Sequence, residues 1–182
     1  SFAVSQPDYL DWRARSERFA EMAAFSTRSA TLIAGRHPER LLTVATSHSL
    51  FPALGVAPMV GRSISREEDG QGEPASVAVI SPRVWERQFG GSRDLEKLTL
   101  DLDGTRYRVV GVMPFSFDFP HRADVWVPLG ASYSWPRDDR RLDVIGRLPT
   151  PQSLDLSGLS LTPAQLKLLL SVDPEVWLQE AA

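Results

Sequence analysis

The side chains best suited to chemistry in this chain are three histidines, His37, His48 and His121, and a scatter of carboxylates. A zinc site needs such ligands on one face, which an H-E-x-x-H helix achieves in a single turn. No such pattern occurs, and the histidines fall in separate loops or element ends, so surface or hydrogen-bonded histidine is the default. Asp101-x-Asp103-Gly104 opens like a calcium loop, but its glycine comes at the wrong position. Val112 also stands where a bidentate glutamate is required. An Asp-Gly pair at a hairpin tip already has a backbone reason to exist. Gly90-Gly91 follows a helical pattern and does not precede one, and neither a phosphate-binding loop nor a G-x-S-x-G elbow is present. The sequence therefore points to no catalytic residue, no cofactor-binding residue and no metal ligand.

Composition narrows the classes further. The chain has no cysteine, which excludes disulfides, thiolate metal sites and cysteine nucleophiles. Its net charge of −3 gives no overall attraction to nucleic acid or anionic lipid. The local arginine groups Arg13/Arg15/Arg18 and Arg137/Arg140/Arg141 are interleaved with acids. No apolar run reaches the roughly 18–20 residues that cross a bilayer. The chain starts at Ser1 without an initiator Met, basic n-region or signal-peptide core, and so reads as an excised piece.

The elements alternate between helical and strand-like patterns. Ser5 to about Ala23 reads as an amphipathic helix, with Ser5 and Asp8 as a capping box and Tyr9, Trp12, Ser16, Phe19 and Ala23 on one core-facing stripe. Two strands follow, Ala30–Ile33 and Leu41–Thr46, joined by the turn Gly35-Arg36-His37-Pro38. Ser49 to Gly55 reads as a short helix, capped by Ser49 and ended by Gly55. The acidic, glycine-rich run Glu67–Glu73 is the best candidate for a mobile loop or subdomain junction.

Beyond it, Ser76–Ile80 reads as a buried strand feeding a helix that Ser81-Pro82 opens and Gly90-Gly91 ends, with Trp85 and Phe89 on one face. Residues 95–113 form a hairpin pivoting on Asp103-Gly104, in which Leu98, Leu100 and Leu102 alternate with polar residues. Val125–Pro128 and Leu142–Leu148 supply two more strands. After Leu148 the texture changes: Pro149-Thr150-Pro151 reads as a linker, and Thr162-Pro163-Ala164-Gln165 and Asp173-Pro174 as helix starts. No internal repeat is present.

In order along the chain come P-D-Y-L-D-W, L-F-P-A-L-G-V-A-P, V-G-R, R-E-E-D, V-A-V-I-S, V-W-E-R-Q-F-G-G, the hairpin, V-V-G-V-M-P, D-V-W-V-P-L and V-I-G-R-L. This succession resembles the MacB-like periplasmic core domain of ABC-transporter permeases over about residues 1–148. The resemblance implies an α+β fold, a porter-like mixed α/β subdomain carrying a smaller β-rich insertion, placed at about residues 74–128. It also implies a non-catalytic, extracytoplasmic part at the bacterial inner membrane. Its partners would be the permease's transmembrane helices, a cytoplasmic ATPase cassette and a periplasmic adaptor or envelope protein, with no nucleic acid. ATP-driven helix motion would pass through the domain, which needs stiff units and a hinge. Asp69, Gly70 and Gly72 are the candidate hinge, with an ordinary surface loop as the competing reading.

Residues 149–182 depart from the family pattern. They are similar to a late segment of GTP-dependent phosphoenolpyruvate carboxykinases, through L-D-L-S-G-L, L-T-P-A-Q-L and S-V-D-P-E-V-W, without that enzyme's nucleotide or metal motifs. Two further readings stay open: a free-standing binding or interaction module, cytosolic included, and an enzyme fragment, for which nucleotide binding is the discriminating assay.

Overall fold

The computed structural model describes residues 3–15, 19–33, 38–70, 74–131 and 134–149. Its elements are β1 (Val4–Ser5), α1 (Gln6–Arg15), β2 (Glu21–Leu32), β3 (Glu39–Thr46), α2 (Leu50–Leu54), β4 (Val60–Gly61), β5 (Val77–Ile80), α3 (Pro82–Phe89), β6 (Thr99–Leu102), β7 (Thr105–Val112), β8 (Val125–Pro128) and β9 (Arg140–Arg147). A single 3-10 turn, Leu95–Lys97, precedes β6. The fold is α+β.

The strands make one mixed sheet in the order β1-β9-β2-β3-β8-β5-β7-β4, with β6 pairing both β7 and β2. That double pairing closes a ring, β2-β3-β8-β5-β7-β6. Its seam is short: Leu32 faces Leu102, Ile33 N–H donates to the Asp101 carbonyl (2.9 Å), and Asp103 N–H donates to the Thr31 carbonyl (2.9 Å). Asp103 locks the seam with its side chain, Oδ1 accepting from Thr31 N–H at 2.8 Å. The hairpin tip adopts the positive-φ turn expected of Asp-Gly, φ 52° at Asp103 and 85° at Gly104.

Side-chain alternation sorts the apolar residues onto the two faces. Ala30 and Leu32 of β2, Leu41 of β3, Ala78 and Ile80 of β5, and Val125 and Val127 of β8 point into the ring with Leu100, Leu102 and Val109. There they meet Val84 and Trp85 of α3. The intervening residues Phe25, Val44, Val77, Val79, Val110 and Trp126 point the other way, beneath α2 and the loop carrying Phe117 and Phe119. β5 and β8 are thus buried on both faces, which is why each reads as an unbroken apolar run. A third cluster sits under α1: Val4, Tyr9, Leu10, Met22, Ala24 and Leu142.

Residues 74–128 supply β5 to β8 and α3, a contiguous half of the sheet. They join the remainder along three seams, β3–β8, β2–β6 and β4–β7, and both main cores mix residues from inside and outside that range.

Two local expectations are corrected. The first helix covers Gln6–Arg15, and of the stripe expected along it Ser16 lies outside the described residues, Ala23 is buried within β2, Trp12 is 50% exposed, and Phe19 is 38% exposed. The cause is long-range, because Glu21 to Phe25 pair with β9, a ladder local periodicity cannot reveal. Phe19 instead lies over β9, so close that a Cβ on Gly146 would sit 2.6 Å from its ring. Ser49 precedes α2 but makes no side-chain cap; its hydroxyl donates to the Met22 carbonyl at 2.7 Å, tying the helix to β2. The turn 34–37 and the tail 150–182 lie outside the described residues.

Candidate functional site

The acidic run begins with a tight, self-capped turn. Ser65 and Glu68 form a reciprocal capping box: Glu68 N–H donates to Ser65 Oγ (3.3 Å) and Ser65 N–H to Glu68 Oε2 (3.0 Å). Arg62 clamps the same carboxylate with two bonds of 2.7 Å. The S-x-x-E spacing was readable in the sequence; its use outside a regular helix was not.

The Arg62 guanidinium holds the Glu68 carboxyl below the ordinary range, against the opposing effect of burial. A depressed carboxylate stabilises the fold above the unfolded pKa, about 4.3 for Glu, and the contribution is lost as pH falls through the lower folded value. Glu68→Gln is therefore expected to lower the melting temperature at neutral pH, by an amount that shrinks on acidification below about pH 4. Arg62 is half-exposed, so the contribution is about 1 kcal/mol or less. A deficit that grows in acid contradicts this assignment.

Asp69, next in the chain, is not a solvated loop residue. Its side chain is 5% exposed and its two oxygens accept three N–H groups. Oδ2 takes His48 N–H (2.9 Å) and His48 Nδ1 (3.1 Å), and Oδ1 takes Gly130 N–H (2.9 Å). On the far side of the ring, His48 Nε2 faces Arg13 Nη2 at 3.2 Å. A guanidinium can only donate, so Nε2 presents its lone pair and Nδ1 carries the proton given to Asp69. One carboxylate thereby joins α1, the β3–α2 turn, the acidic turn and the segment after β8. Past it, Ala75 N–H bonds the Glu68 carbonyl (2.8 Å), closing the loop that contains Gly70; Gly72 lies outside the described residues.

Both ring nitrogens of His48 are engaged within the protein, which is a structural and not a ligating arrangement. His121 lies elsewhere, exposed and paired with Asp118 at 2.7 Å, and His37 is outside the described residues. Among the described residues, no group of three or more His, Cys, Asp or Glu is placed to hold a metal ion. No described helix is long and apolar enough to cross a membrane. Arg13, His48 and Gly130 were not singled out together from sequence, and no local signal links positions so far apart.

The first and last described strands also pair. β1 pairs antiparallel with β9, Val4 opposite Leu142 and Ser5 opposite Arg140. Arg137, just before β9, reaches α1 with bonds to Asp8 Oδ1 (2.7 Å) and Asp11 Oδ2 (2.9 Å). The far end of β9 is fixed by Arg147, whose Nε donates to the Ala53 carbonyl at the end of α2 (2.7 Å).

Compared with known proteins, residues 2–167 match the family described as the MacB-like periplasmic core domain. The chain belongs to this family. Solved structures share the fold. A domain of a putative permease from Porphyromonas gingivalis aligns with a TM-score of 0.60 at 14% identity, covering 93% of this chain and 69% of that one. The periplasmic region of MacB from Actinobacillus actinomycetemcomitans gives 0.55 at 11% identity, with 80% and 79% covered. The extracellular domain of the noncanonic ABC-type transporter YknZ from Gram-positive bacteria gives 0.53 at 16% identity, with 66% of this chain covered. This MacB-like chain spans 60% of that YknZ domain. The family match also runs to residue 167, past the boundary that sequence texture placed at 148. Part of the stretch likened to a carboxykinase thus falls within the periplasmic-domain match, and nothing found supports the carboxykinase resemblance.

Proposed function

We propose that this MacB-like domain is a non-catalytic, extracytoplasmic coupling element of an ABC-type permease. It would carry motion from transmembrane helices, driven by a cytoplasmic ATPase cassette, to a substrate or envelope partner. The observation that carries the reading is the pairing of β1 with β9, the first and last described strands, and of β9 with β2 in the sheet's interior. A displacement applied at either end reaches the closed ring through backbone ladders, which deform little, and not through loops. Arg137 adds α1 to the same rigid end. Within this reading Asp69 is the anchored side of the pivot, and Gly70 supplies backbone freedom beside it.

The test is amide hydrogen exchange in a full-length permease carrying this domain, with and without a non-hydrolysable ATP analogue. Exchange is expected to change at Val4, Ser5 and residues 140–147 and to stay constant in β5. Arg137→Ala should reduce the nucleotide-dependent change. Exchange at β1 and β9 that ignores nucleotide would refute the coupling role.

A further inference from the structure

An open cleft of about 350 Å³ lies between α3, β3 and the segment entering β8, lined by Glu39, Leu42, Arg83, Arg87, Arg122 and Asp124. Arg83 and Arg87 stand four apart on α3, one turn from each other and half-exposed. Each is aimed by a carboxylate that is itself held in place. Arg83 Nη2 bonds Asp124 Oδ1 (2.9 Å), while Asp124 Oδ2 accepts from Leu42 N–H (3.0 Å). Arg87 Nη2 meets Glu39 Oε1 at 2.5 Å, while Glu39 Oε2 accepts from Gln88 (3.1 Å). These contacts use one nitrogen of each guanidinium, which carries five N–H donors in all.

The third arginine is held at a conformational cost. Arg122 has φ +62°, a left-handed backbone that a side chain adopts unfavourably. Two contacts enforce it: its N–H donates to Asp118 Oδ1 (2.6 Å) and its carbonyl accepts from Arg83 Nη2 (3.2 Å). Strain of this kind, kept by surrounding bonds at the rim of a cleft, is a marker of sites where a side chain is presented for use.

The lining charges are three cations against two carboxylates already engaged by Arg83 and Arg87, a local reversal of a chain whose net charge is −3. A helix spaces i and i+4 side chains about 5–6 Å apart, and an extended strand places alternate residues roughly 6.6 Å apart on one side. Two carboxylates two residues apart on an extended segment thus match Arg83 and Arg87.

We infer that the α3 cleft docks an extended acidic segment of a partner protein, with carboxylates at alternate positions on Arg83 and Arg87 and a further one on Arg122. This names the chemistry of the partner in the coupling reading and rests on that reading for its purpose. Its test is read on the 182-residue chain alone, so either can fail without the other.

The probe is a fluorescein-labelled peptide of alternating Glu and Ser, followed by anisotropy. Saturable binding is expected, absent for an alternating Lys and Ser peptide, and weakened near about 1 M salt, where the Debye length is roughly 3 Å. Arg87→Gln with Arg122→Gln should weaken binding about tenfold or more, as loss of charge-assisted hydrogen bonds does. Arg122→Gly separates presentation from folding: it removes the guanidinium and relieves the positive φ, so affinity falls while the melting temperature holds or rises. Absence of saturable binding, arginine variants that bind as well as the parent, or a cleft that takes inorganic phosphate or anionic vesicles but not the peptide would each overturn the proposal.

Discussion

Replacing Trp126 by alanine is expected to destabilise the domain by about 3–5 kcal/mol, the range for emptying a large buried aromatic site. Trp126 is 1% exposed, at the middle of β8 with Val44 on one flank and Val79 on the other. Its ring packs at 5.4 Å against Phe117 and 6.0 Å against Phe51, and its Nε1–H donates to the Phe119 carbonyl at 3.2 Å. Phe119 in turn packs edge-on against Phe25 of β2 at 5.3 Å. One side chain therefore fastens the segment between β7 and β8 onto the outer face of the sheet, and the same segment carries Asp118 and Arg122. The melting temperature should fall by roughly 10 °C, at about 2–4 °C per kcal/mol for a chain of this size. Amides near Phe117 and Phe119 should lose exchange protection. Trp135→Ala is the control: Trp135 is exposed and its noted contact is the Arg141 guanidinium, 5.8 Å above the ring, so its loss should cost about 1 kcal/mol or less. Equal effects of the two substitutions would disprove the assignment of Trp126 as the keystone of that face.

The contrast between those two tryptophans shows where the sequence was informative. Val125-Trp126-Val127 is an unbroken apolar run between turn signals, and the reading of it as a strand needs no knowledge of its neighbours. The same holds for Ser81-Pro82, where the serine hydroxyl accepts from Val84 N–H and caps α3, and for Asp103-Gly104. Each is a local rule met by local residues. What the sequence hid was decided by partners far along the chain. Trp12 and Phe19 fit a helical stripe with Tyr9, but β9 claims Glu21 to Phe25 as a strand, so the helix stops short and only Tyr9 is fully buried. Closure of the ring depends on one short seam between β2 and β6, seventy residues apart (32 facing 102). The candidate site follows the same division. Asp69 stood out in the sequence as an acid beside glycines, a candidate hinge. That its oxygens serve His48 and Gly130 is a fact of tertiary structure alone.

Removing that carboxylate gives the second large effect. Asp69→Ala leaves three N–H groups without their acceptor in a place water hardly reaches, and each buried unmet donor costs about 1–3 kcal/mol. Partial relaxation and water entry reduce the sum, so a loss of about 3 kcal/mol is expected, a fall of roughly 6–12 °C in melting temperature. Asp69→Asn should rescue little. An amide has one acceptor oxygen, and its NH2 group would face either the two His48 donors or the Gly130 donor. The damage should also spread in a defined way. Without Asp69 to fix Nδ1–H, the imidazole can turn, and Arg13 loses the lone pair that ties α1 to the β3–α2 turn. Exchange should therefore quicken at His48 and Gly130 first and in α1 next, while the ring core around Ile80 and Val125 keeps its protection. If the anchor serves as the fixed side of a pivot, a permease bearing Asp69→Ala should bind nucleotide normally yet show a weakened nucleotide response at Val4, Ser5 and residues 140–147. A melting temperature within about 2 °C of the parent, with Gly130 still protected, would mean that the three bonds to Asp69 contribute little, because a loss of even 1 kcal/mol shifts it by more.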